Sequence, residues 1–457
     1  GMGVATRPAI LLLDTQLQSQ VQAQASTVAE LSTRQGALQA IDAVQGTPGQ
    51  GQDLASLLGQ LGNQFSTLLN DPANPTQQSA VVAAAGTLAA QINTLSDAYT
   101  AQRQTAENAI VAGVATVNGA LAAIGSLSDK IMAATAAGTS TADLENQRNA
   151  QVATLAQTLD VNTLVQPNGD MIVTTASGTE LPTHGPADPL SVTGANVEPG
   201  SYYPGGGIPA VMLGGTDVTA ALTGGALGAN ITLRDTTLPT DQAELDEFSQ
   251  NLASRFSAQG LTLFTDAAGA VPAGGGVPAQ AGYVGFAAVI GVNPAVSAAP
   301  SLVRDGTGAI AGSPGGASAF APNPAGGPAG FSTLITRILD FALGTDAQAG
   351  VAQPASNTTG LGAAGTLSAP YTAPAALGDI ANALVGAQAA GSAATTARLT
   401  TEQAVQTTLQ SQLTSQSGVN MDSQMSQMIA LQNAYGANAK VMAAVQAMYT
   451  QLLDAIQ

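Results

Sequence analysis

Apolar residues recur at intervals of three and four over the first third of the chain, with polar residues between them. This spacing places the apolar residues on one face of an α-helix. It predicts four helices: one from about Ala9 to Val44, one carrying Leu54 to Leu68, one carrying Val81 to Ile131, and one from Thr141 to Thr158. The third covers roughly 60 residues, a length typical of coiled-coil-like rods rather than of ordinary globular helices.

Short polar segments separate these predicted helices. "GTPGQGQD" interrupts the apolar pattern after the first helix, and Asp53 is a suitable N-cap for the second. "NDPANP" ends the second helix. These segments mark the boundaries between the predicted helices.

The pattern changes in the middle of the chain. "NTLVQPNGDMIVTT" predicts two strands joined by a turn at Asn168-Gly169, and Gly- and Pro-rich β segments continue to about Gly225. Helix resumes in "LGANITLRDTTLPTDQAELDEFSQNLASRFSAQG", and a loop-rich region with the short helix "GFSTLITRILDFALG" follows. The last helical block runs from about Ala375 to Gln457.

These elements predict a mainly α fold with an inserted β-rich domain. Both chain ends form a long antiparallel helical bundle or rod, and the middle forms a small β domain. The expected segments are 1–160, the N-terminal part of the rod; 161–225, the β-rich insert; 226–260, a helix returning to the rod; 261–374, a loop-rich mixed region with a short helix; 375–418, the C-terminal part of the rod; and 419–457, a C-terminal helix.

The C-terminal helix is unusually neutral. From Ser417 onward it carries only three charged residues, Asp422, Lys440 and Asp454. Its candidate interface residues are Val419, Met421, Met425, Met428, Tyr435, Met442, Tyr449, Leu453 and Ile456. Exposed helices normally have a charged outer face. The stripe therefore indicates burial, either against neighbouring subunits or in the chain's own core, and periodicity supports the two interpretations about equally.

Composition excludes several classes of function. The chain has 29 acidic and 11 basic residues, and the bases are scattered, which argues against nucleic acid or an anionic membrane as partner. Cysteine is absent, which excludes disulfides, thiolate metal sites and a cysteine nucleophile. We find no apolar run of about 18 residues and therefore expect no membrane span. The first residues lack the features of a cleavable signal peptide.

Candidate chemistry is sparse. His184, the single histidine, lies in the turn-like "LPTHGPADP" and is interpreted as a surface-loop residue. Asp241, Glu244, Asp246 and Glu247 are interpreted as a solvated first helical turn, where acids favour the helix dipole, rather than as a Ca²⁺ or Mg²⁺ site. "YYPGGGIP" and "AGGGVPAQAG" lack the context of a phosphate-binding loop. We therefore predict no catalytic, cofactor-binding or metal site, and a protein that is not an enzyme.

Three segments resemble the family of the first flagellar hook-associated protein, the junction between hook and filament. They are "SGVNMDSQMSQMIALQNAYGANAKVMAAVQAMYTQLLDAI", "DLENQRNAQVATLAQTLDV" and "GGALGANITLRDTTLPTDQAELDEFSQNLASRFSAQ". The positions that carry the family motifs are Asp143, Leu144, Gln147, Arg148, Leu233, Arg234, Asp235 and Asn420. The resemblance covers nearly the whole chain in the family's order, although rod, hook and filament proteins share the tail in looser form.

The resemblance implies a structural subunit that acts as an adaptor between hook and filament. It implies self-association through helical domains, with 419–457 as the polymerisation helix, and contacts to hook protein, to the next hook-associated protein or filament, and to an export chaperone. It also implies an extracellular location, reached by type III export without a cleavable signal, and neither nucleic acid nor membrane insertion. Family members usually begin with a further N-terminal helix that pairs with the C-terminal one. We expect this chain to lack that segment.

Two alternatives remain open at this stage. The first is another flagellar axial protein of the flagellin or hook type. The motifs at Leu144–Arg148 and Leu233–Asp235 favour the junction protein over this alternative. The second is a secreted adhesin-type protein whose Gly- and Pro-rich middle binds a ligand. Only Tyr202 and Tyr203 hint at the aromatic surface that such binding would need.

Overall fold

Helices dominate the computed structural model, which describes residues 14–186, 188–417 and 421–455. The α-helices are α1 Thr15–Gln45, α2 Leu54–Asn70, α3 Pro75–Ala136, α4 Ala142–Thr158, α5 Gly225–Thr232, α6 Leu238–Ala258, α7 Pro294–Ala298, α8 Leu302–Asp305, α9 Thr333–Arg337, α10 Leu377–Ser417 and α11 Met421–Asp454. This confirms the prediction of a mainly α fold with long helices at both ends.

The strands are short. They are β1 Val161–Val165, β2 Met171–Thr175, β3 Glu180–Leu181, β4 Leu190–Ser191, β5 Met212–Leu213, β6 Thr216–Asp217, β7 Phe264–Thr265, β8 Gly291–Val292, β9 Asp346–Gln348, β10 Val351–Ala352, β11 Thr359–Leu361 and β12 Leu367–Ser368. Two antiparallel three-stranded sheets have the orders β1-β2-β3 and β4-β5-β6, and three antiparallel pairs complete the set.

Side-chain oxygens cap the starts of the helices at the N-terminal end of the chain. The Asp14 carboxylate accepts hydrogen bonds from the backbone N–H groups of Gln16 and Leu17 at the start of α1. Asp53 caps α2 by accepting from Ser56 N, as predicted, and Asn74 caps α3 just before Pro75. Each cap satisfies N–H groups that have no partner inside the helix. Pro75 costs no hydrogen bond, because an N–H at the first position of a helix would have no partner within it.

The two ends of the chain pack antiparallel. Gln24 donates to the Glu402 carboxylate at 2.7 Å, Gln35 donates to Thr396 Oγ1 at 3.1 Å, and Gln45 donates to Val385 O at 3.3 Å. Residue numbers rise along α1 while those of their partners fall along α10. The predicted antiparallel bundle of both chain ends is therefore confirmed.

Helix α3 has 62 residues and passes through two hydrophobic cores. Its first half, up to Ala106, packs with α2, α6, the 261–343 region and the start of α10. From Ile110 onward it packs with α4, the strands β1 to β4 and α5. The second core thus crosses the expected boundaries at residues 160 and 225, and those boundaries stay a prediction.

By length and composition, α3 also passes as a candidate membrane-spanning helix. Half of its most apolar window is buried inside the protein. A core helix of a folded protein has the same composition, because its apolar side chains are covered by other helices. Burial in two cores accounts for the apolar character of α3.

The β-hairpin predicted at Asn168-Gly169 is confirmed. Strands β1 and β2 pair from Val161 opposite Thr175 to Val165 opposite Met171. Gly169 has a φ of +96°, which glycine adopts without the steric cost of a side chain. The hairpin does not stand apart from the rod, because Met171 and Val173 are buried in the core built on α3.

The helical segment after the β region is not uniform. Between α5 and α6 lies a π-helical turn, Leu233–Thr237, and Pro239 follows as the second residue of α6. Proline cannot donate to an earlier carbonyl, and a wider turn accommodates this loss. The wide turn carries Arg234 toward α3.

Candidate functional site

A buried ionic network lies on α3 where the two hydrophobic cores meet. Arg103 and Glu107 of α3 follow the last large side chains of the first core and precede Ile110 of the second. Arg234 from the π-helical turn joins them, and its side chain is fully buried. Charged groups therefore occupy the boundary between two apolar regions.

Arg234 holds two carboxylates at once. Its Nη1 donates to Glu107 Oε2 at 2.6 Å. Its Nε and Nη2 each donate at 2.7 Å to the two carboxylate oxygens of Asp235. The planar guanidinium suits this forked arrangement, which combines charge with several directed hydrogen bonds.

Arg103 and Glu107 connect this network to the chain between β4 and β5. Arg103 donates to three backbone oxygens, those of Arg234 at 3.1 Å, Glu198 at 3.2 Å and Ser201 at 2.6 Å. Glu107 Oε1 accepts from Ala195 N at 2.9 Å. One charged cluster thereby fastens the β-rich insert and the π-helical turn to the same part of α3.

Burial changes the acid–base properties of the network. Loss of solvent lowers the pKa of Arg103 to about 10, and the nearby Asp235 carboxylate opposes this. Burial raises the pKa of Asp235, against the hydrogen bonds from Arg234. The pKa of Arg234 is raised because Asp235 and Glu107 outweigh its own burial. The buried charges of this network are paired with one another and with backbone groups, and they join α3 to the π-helical turn.

Tyr203 extends the network to the surface. The Arg234 guanidinium lies 6.0 Å from the centre of the Tyr203 ring, and Tyr203 Oη donates to Asp217 Oδ2 at 2.7 Å. Tyr203, one of the two tyrosines considered for an adhesin surface, therefore belongs to this buried network.

Arg148, from the second family motif, forms another joint. It is 4% exposed, and its Nη1 donates to Ser128 Oγ at 3.1 Å and to Gly169 O at 2.7 Å. It thus connects α4 to α3 and to the β1–β2 turn, and burial lowers its pKa. Of the other residues in this motif, Leu144 is half-buried, while Asp143 and Gln147 are exposed and hydrogen-bond each other at 2.8 Å.

The candidate interface residues of the tail do not meet the rest of the chain. Met425, Met428, Tyr435, Met442 and Tyr449 lie on α11 with exposed fractions between 55% and 81%. Every side chain described from Met425 to Leu452 is exposed. The interpretation of this stripe as part of the chain's own core is therefore wrong. Val419, Asn420 and Ile456 lie outside the described residues, as do the side chains of Met421 and Leu453.

The interpretation of the acidic run as a solvated first turn is also wrong. Glu244, Asp246 and Glu247 are at most 4% exposed. Asp246 accepts from the N–H groups of Gly285 and Ala287, and Glu247 accepts from Tyr283 Oη at 2.6 Å. Other parts of the chain cover α6 on several sides, so consecutive residues of the helix are buried. The spacing of apolar residues reveals only one buried face of a helix. Within the described residues, no group of three or more acidic or histidine side chains is arranged to hold a metal ion.

His184 lies in a surface loop, as predicted. Its Nε2 is 3.0 Å from Asp170 Oδ1, and its Nδ1 is 3.9 Å from Asp129. The hydrogen bond with Asp170 raises the pKa of His184, although partial burial opposes it. It connects the loop to the β-hairpin.

Arg103 and Glu107 were missed by inspection of the sequence. The sequence does contain a sign that these residues are buried. Arg103 falls on the same helical spacing as the buried Tyr99, Ala106 and Ile110. Charged residues at such positions need a partner from elsewhere in the fold. That partner, Arg234, is 127 residues from Glu107 in the chain.

Two models of protein families match the chain. The helical domain of the flagellar hook-associated protein FlgK matches residues 38–270, and the C-terminal domain of flagellar basal body rod FlgEFG proteins matches residues 410–455. Among solved structures, the flagellar hook junction protein FlgK from Burkholderia pseudomallei is 24% identical, with a TM-score of 0.44. That match covers 56% of this chain and 45% of the other, so it spans less than half of that protein's length. A search of curated proteins finds no match.

Both family models describe proteins of the bacterial flagellum; the first match spans the end of α1 to β7, and the second spans the end of α10 and α11. The first model covers just over half of the chain and contains the joints at Arg148 and Arg234. The chain belongs to the family of the flagellar hook-associated protein FlgK.

Proposed function

We propose that this chain is a structural subunit of the bacterial flagellum that joins hook to filament, without catalytic activity or cofactor. The observation that carries the proposal is the order of the two family matches. The FlgK helical-domain match runs from the end of α1 to beyond α6, and the rod-protein match at residues 410–455 covers the end of α10 and α11. The chain thus combines the body of a junction protein with a terminal helix of the axial type.

The exposed α11 supports self-association. Its uncovered apolar side chains include Met428, Leu431, Tyr435, Met442 and Tyr449. Burial of apolar surface contributes about 25 cal/mol per Å², and large exposed apolar surfaces mark sites of protein contact. Few charges on this helix would have to be desolvated. In this proposal residues 419–457 are the polymerisation helix, covered by neighbouring subunits.

The partners follow from the same role. They are further copies of this chain, hook protein on one side, and the next hook-associated protein or filament on the other, with a chaperone during export. The protein acts extracellularly, as part of the flagellum. Absence of cysteine supports export in an unfolded state, because no disulfide has to form afterwards.

Mechanically, the subunit acts as an adaptor. The antiparallel α1 and α10 and the long α3 form a stiff body, and the joints at Arg148 and Arg234 hold the β-rich insert to it. Residues 161–225 would then face outward and contribute lateral contacts. Torque passes through the packed helices, and the terminal helix couples each subunit to its neighbours.

The test is complementation in a strain of the source bacterium from which this gene is deleted. We expect such cells to carry hooks without filaments, and the wild-type gene to restore filaments in electron micrographs. Met442→Glu should fail, because it places a charge on the apolar surface of α11. Thr407→Glu, at an exposed position of α10, is the matched control and should restore filaments.

Two outcomes would contradict the proposal. Deletion cells with intact junctions and filaments would exclude the role. Deletion cells without hooks would indicate the alternative, a hook-type axial protein, in agreement with the rod-protein match at the tail.

A further inference from the structure

A cavity of about 500 Å³ lies between α1, α6 and α10, beside the loop that carries Ser368 and Pro370. Leu38 and Ile41 of α1 form an apolar wall. The polar side chains that line it include Asp241 and Glu244 of α6 and Gln388 of α10. It lies in the body of the protein, away from the apolar surface of α11.

Glu244 is the unusual member of this lining. The residue is 2% exposed, and its Oε1 has no hydrogen-bond partner in the described part of the protein. The Tyr371 side chain hydrogen-bonds the carboxyl group of Glu244. A buried carboxylate oxygen without a donor is costly, so either a proton or a cation has to satisfy this group.

Asp241 lies one helical turn before Glu244 and is hydrogen-bonded by Gln388. Burial raises the pKa of Asp241 to about 7. Burial, followed by the charge of Asp241, raises the pKa of Glu244 to about 8. Near neutral pH the two groups hold protons that a bound cation could replace.

The other charged and titratable groups around Glu244 are Arg34 and Asp42 of α1, which also line the cavity, and Tyr99 of α3. On α1, Arg34 pairs with Glu30 at 3.8 Å, and Asp42 accepts a hydrogen bond from Ser392 of α10. On α3, the buried Tyr99 donates to Gln388 at 3.0 Å. Arg34 Nη1 is thus paired with Glu30, while its buried Nε has no hydrogen-bond partner in the described part of the protein, and Glu244 Oε1 receives no hydrogen bond from it.

We propose that this cavity binds one guanidinium or primary ammonium group, held by the carboxylates of Glu244 and Asp241. Either group supplies several donors to two carboxylates, whereas a divalent metal ion needs oxygen ligands converging on one point, and no group of three or more acidic side chains is so arranged in the described residues. The apolar wall of Leu38 and Ile41 suits the methylene stem of such a cation. This goes beyond the proposed junction role and does not depend on it.

The cation has two possible sources with the same chemistry. It is either a free amine or guanidine, or an arginine or lysine side chain of a second copy. Arg398 is a candidate, because its side chain is 63% exposed on α10.

The first experiment is calorimetric titration of the full chain with methylguanidinium chloride at low salt. Because the cation displaces protons, affinity should rise with pH, by up to about tenfold per pH unit and per displaced proton between about pH 6 and pH 8. Glu244→Gln should weaken binding at least about tenfold above pH 8. Glu180→Gln, an exposed position on β3, is the matched control and should bind like the wild type.

Glutamine imitates the protonated carboxyl, so we expect Glu244→Gln to fold, and circular dichroism checks this. The pH profile of the wild type tests the proposal without any variant. A profile that is flat with pH, no measurable heat above pH 8, or equal binding by Glu244→Gln would each overturn the proposal.

Sedimentation velocity separates the two sources. If methylguanidinium dissociates self-associated wild-type chains and Arg398→Gln weakens their association, the cation is a side chain of a second copy. If binding leaves association unchanged, the cavity serves a free amine or guanidine. Both results support a cation site, and neither depends on whether the chain restores filaments in cells.

Discussion

At the scale of single residues, the buried charge of Arg234 is tolerated because it is paired. Arg234 is surrounded by Glu107 and Asp235, and each hydrogen bond between them is 2.7 Å or shorter. Taking such groups out of water is expensive, and the close opposite charges offset the expense. Loss of one partner leaves the others buried and uncompensated.

Replacement of Arg234 by methionine should therefore be severe. We expect Arg234→Met to lower the free energy of unfolding by about 3–5 kcal/mol, because Glu107 and Asp235 lose their counter-charge. Denaturation by urea, followed by circular dichroism, measures this. Arg398→Met is the control, because its ion pair with Glu402 is 3.9 Å long and exposed, and should change stability by about 1 kcal/mol or less. Equal effects of the two substitutions would contradict the structural role of the joint.

The acids of α6 predict a dependence of stability on pH. The folded-state pKa of Glu244 is raised above its unfolded value, so the folded protein binds more protons between about pH 4.5 and pH 8. Stability should consequently fall as pH rises through this window, by up to about 1.4 kcal/mol per pH unit for a fully buried group. Asp241 adds a contribution of the same sign, from about pH 4 to pH 7.

Urea midpoints measured across this pH range test the expectation. Glu244→Gln should flatten the fall in stability, because glutamine does not titrate, whereas Glu180→Gln should follow the wild type. A wild-type chain that gains stability from pH 5 to pH 8 would show that these carboxyls are ionised in the folded protein.

At the scale of elements, close approach of backbones decides where α3 can carry a side chain. Gly125 lies where the loop at Thr183 crosses α3, and a Cβ there would collide with the Thr183 backbone carbonyl. Gly119, in the same helix, has open space around the corresponding position. The two glycines look alike in the sequence but differ in what surrounds them.

A pair of alanine substitutions separates these two cases. Gly125→Ala should destabilise the protein by about 1–3 kcal/mol, because the loop or the helix has to shift. Gly119→Ala should stabilise it by about 0.5–1 kcal/mol, because alanine reduces the entropy lost when a helix forms. Thermal unfolding of both variants measures the difference. If Gly125→Ala is as stable as Gly119→Ala, the loop does not pack on α3 as described.

At the scale of the whole molecule, α11 is a helix without a covered face inside one chain. Most of the stability of a helix in a folded protein comes from packing of its apolar face, not from helix propensity. Helix α11 has no such packing from Met425 to Leu452. Its stability and its function should therefore depend on partners rather than on the body of the subunit.

Removal of α11 should leave the rest of the fold intact. We expect a chain that ends at Gly418 to unfold at the same urea concentration as the full chain, within about 0.5 kcal/mol, because no described core residue is lost. It should also fail to self-associate in sedimentation velocity at concentrations where the full chain does. Collapse of the shortened chain would mean that the tail belongs to the core, contrary to its exposure here.

The sequence alone determined the long helices, the β-hairpin and the family, because helical periodicity, N-caps, the Asn-Gly turn and the family motifs are local signals. The motif residues Arg148 and Arg234 could be named from it, but not the joints that they form. Arg234 depends on Glu107, 127 residues earlier, and that pairing exists only once α3 and the π-helical turn pack together.

For two segments, the sequence did not determine whether the side chains are buried or exposed, and one interpretation of each segment was wrong. The acids at Asp241 to Glu247 satisfy the rule for a solvated helix start, yet Glu244, Asp246 and Glu247 are buried because neighbouring segments cover α6 on several sides. The apolar stripe of α11 satisfies the rule for a core helix, yet its described side chains face outward. Periodicity shows which residues share a face of a helix. Only the tertiary structure decides what lies against that face, because burial depends on distant parts of the chain and on its partners.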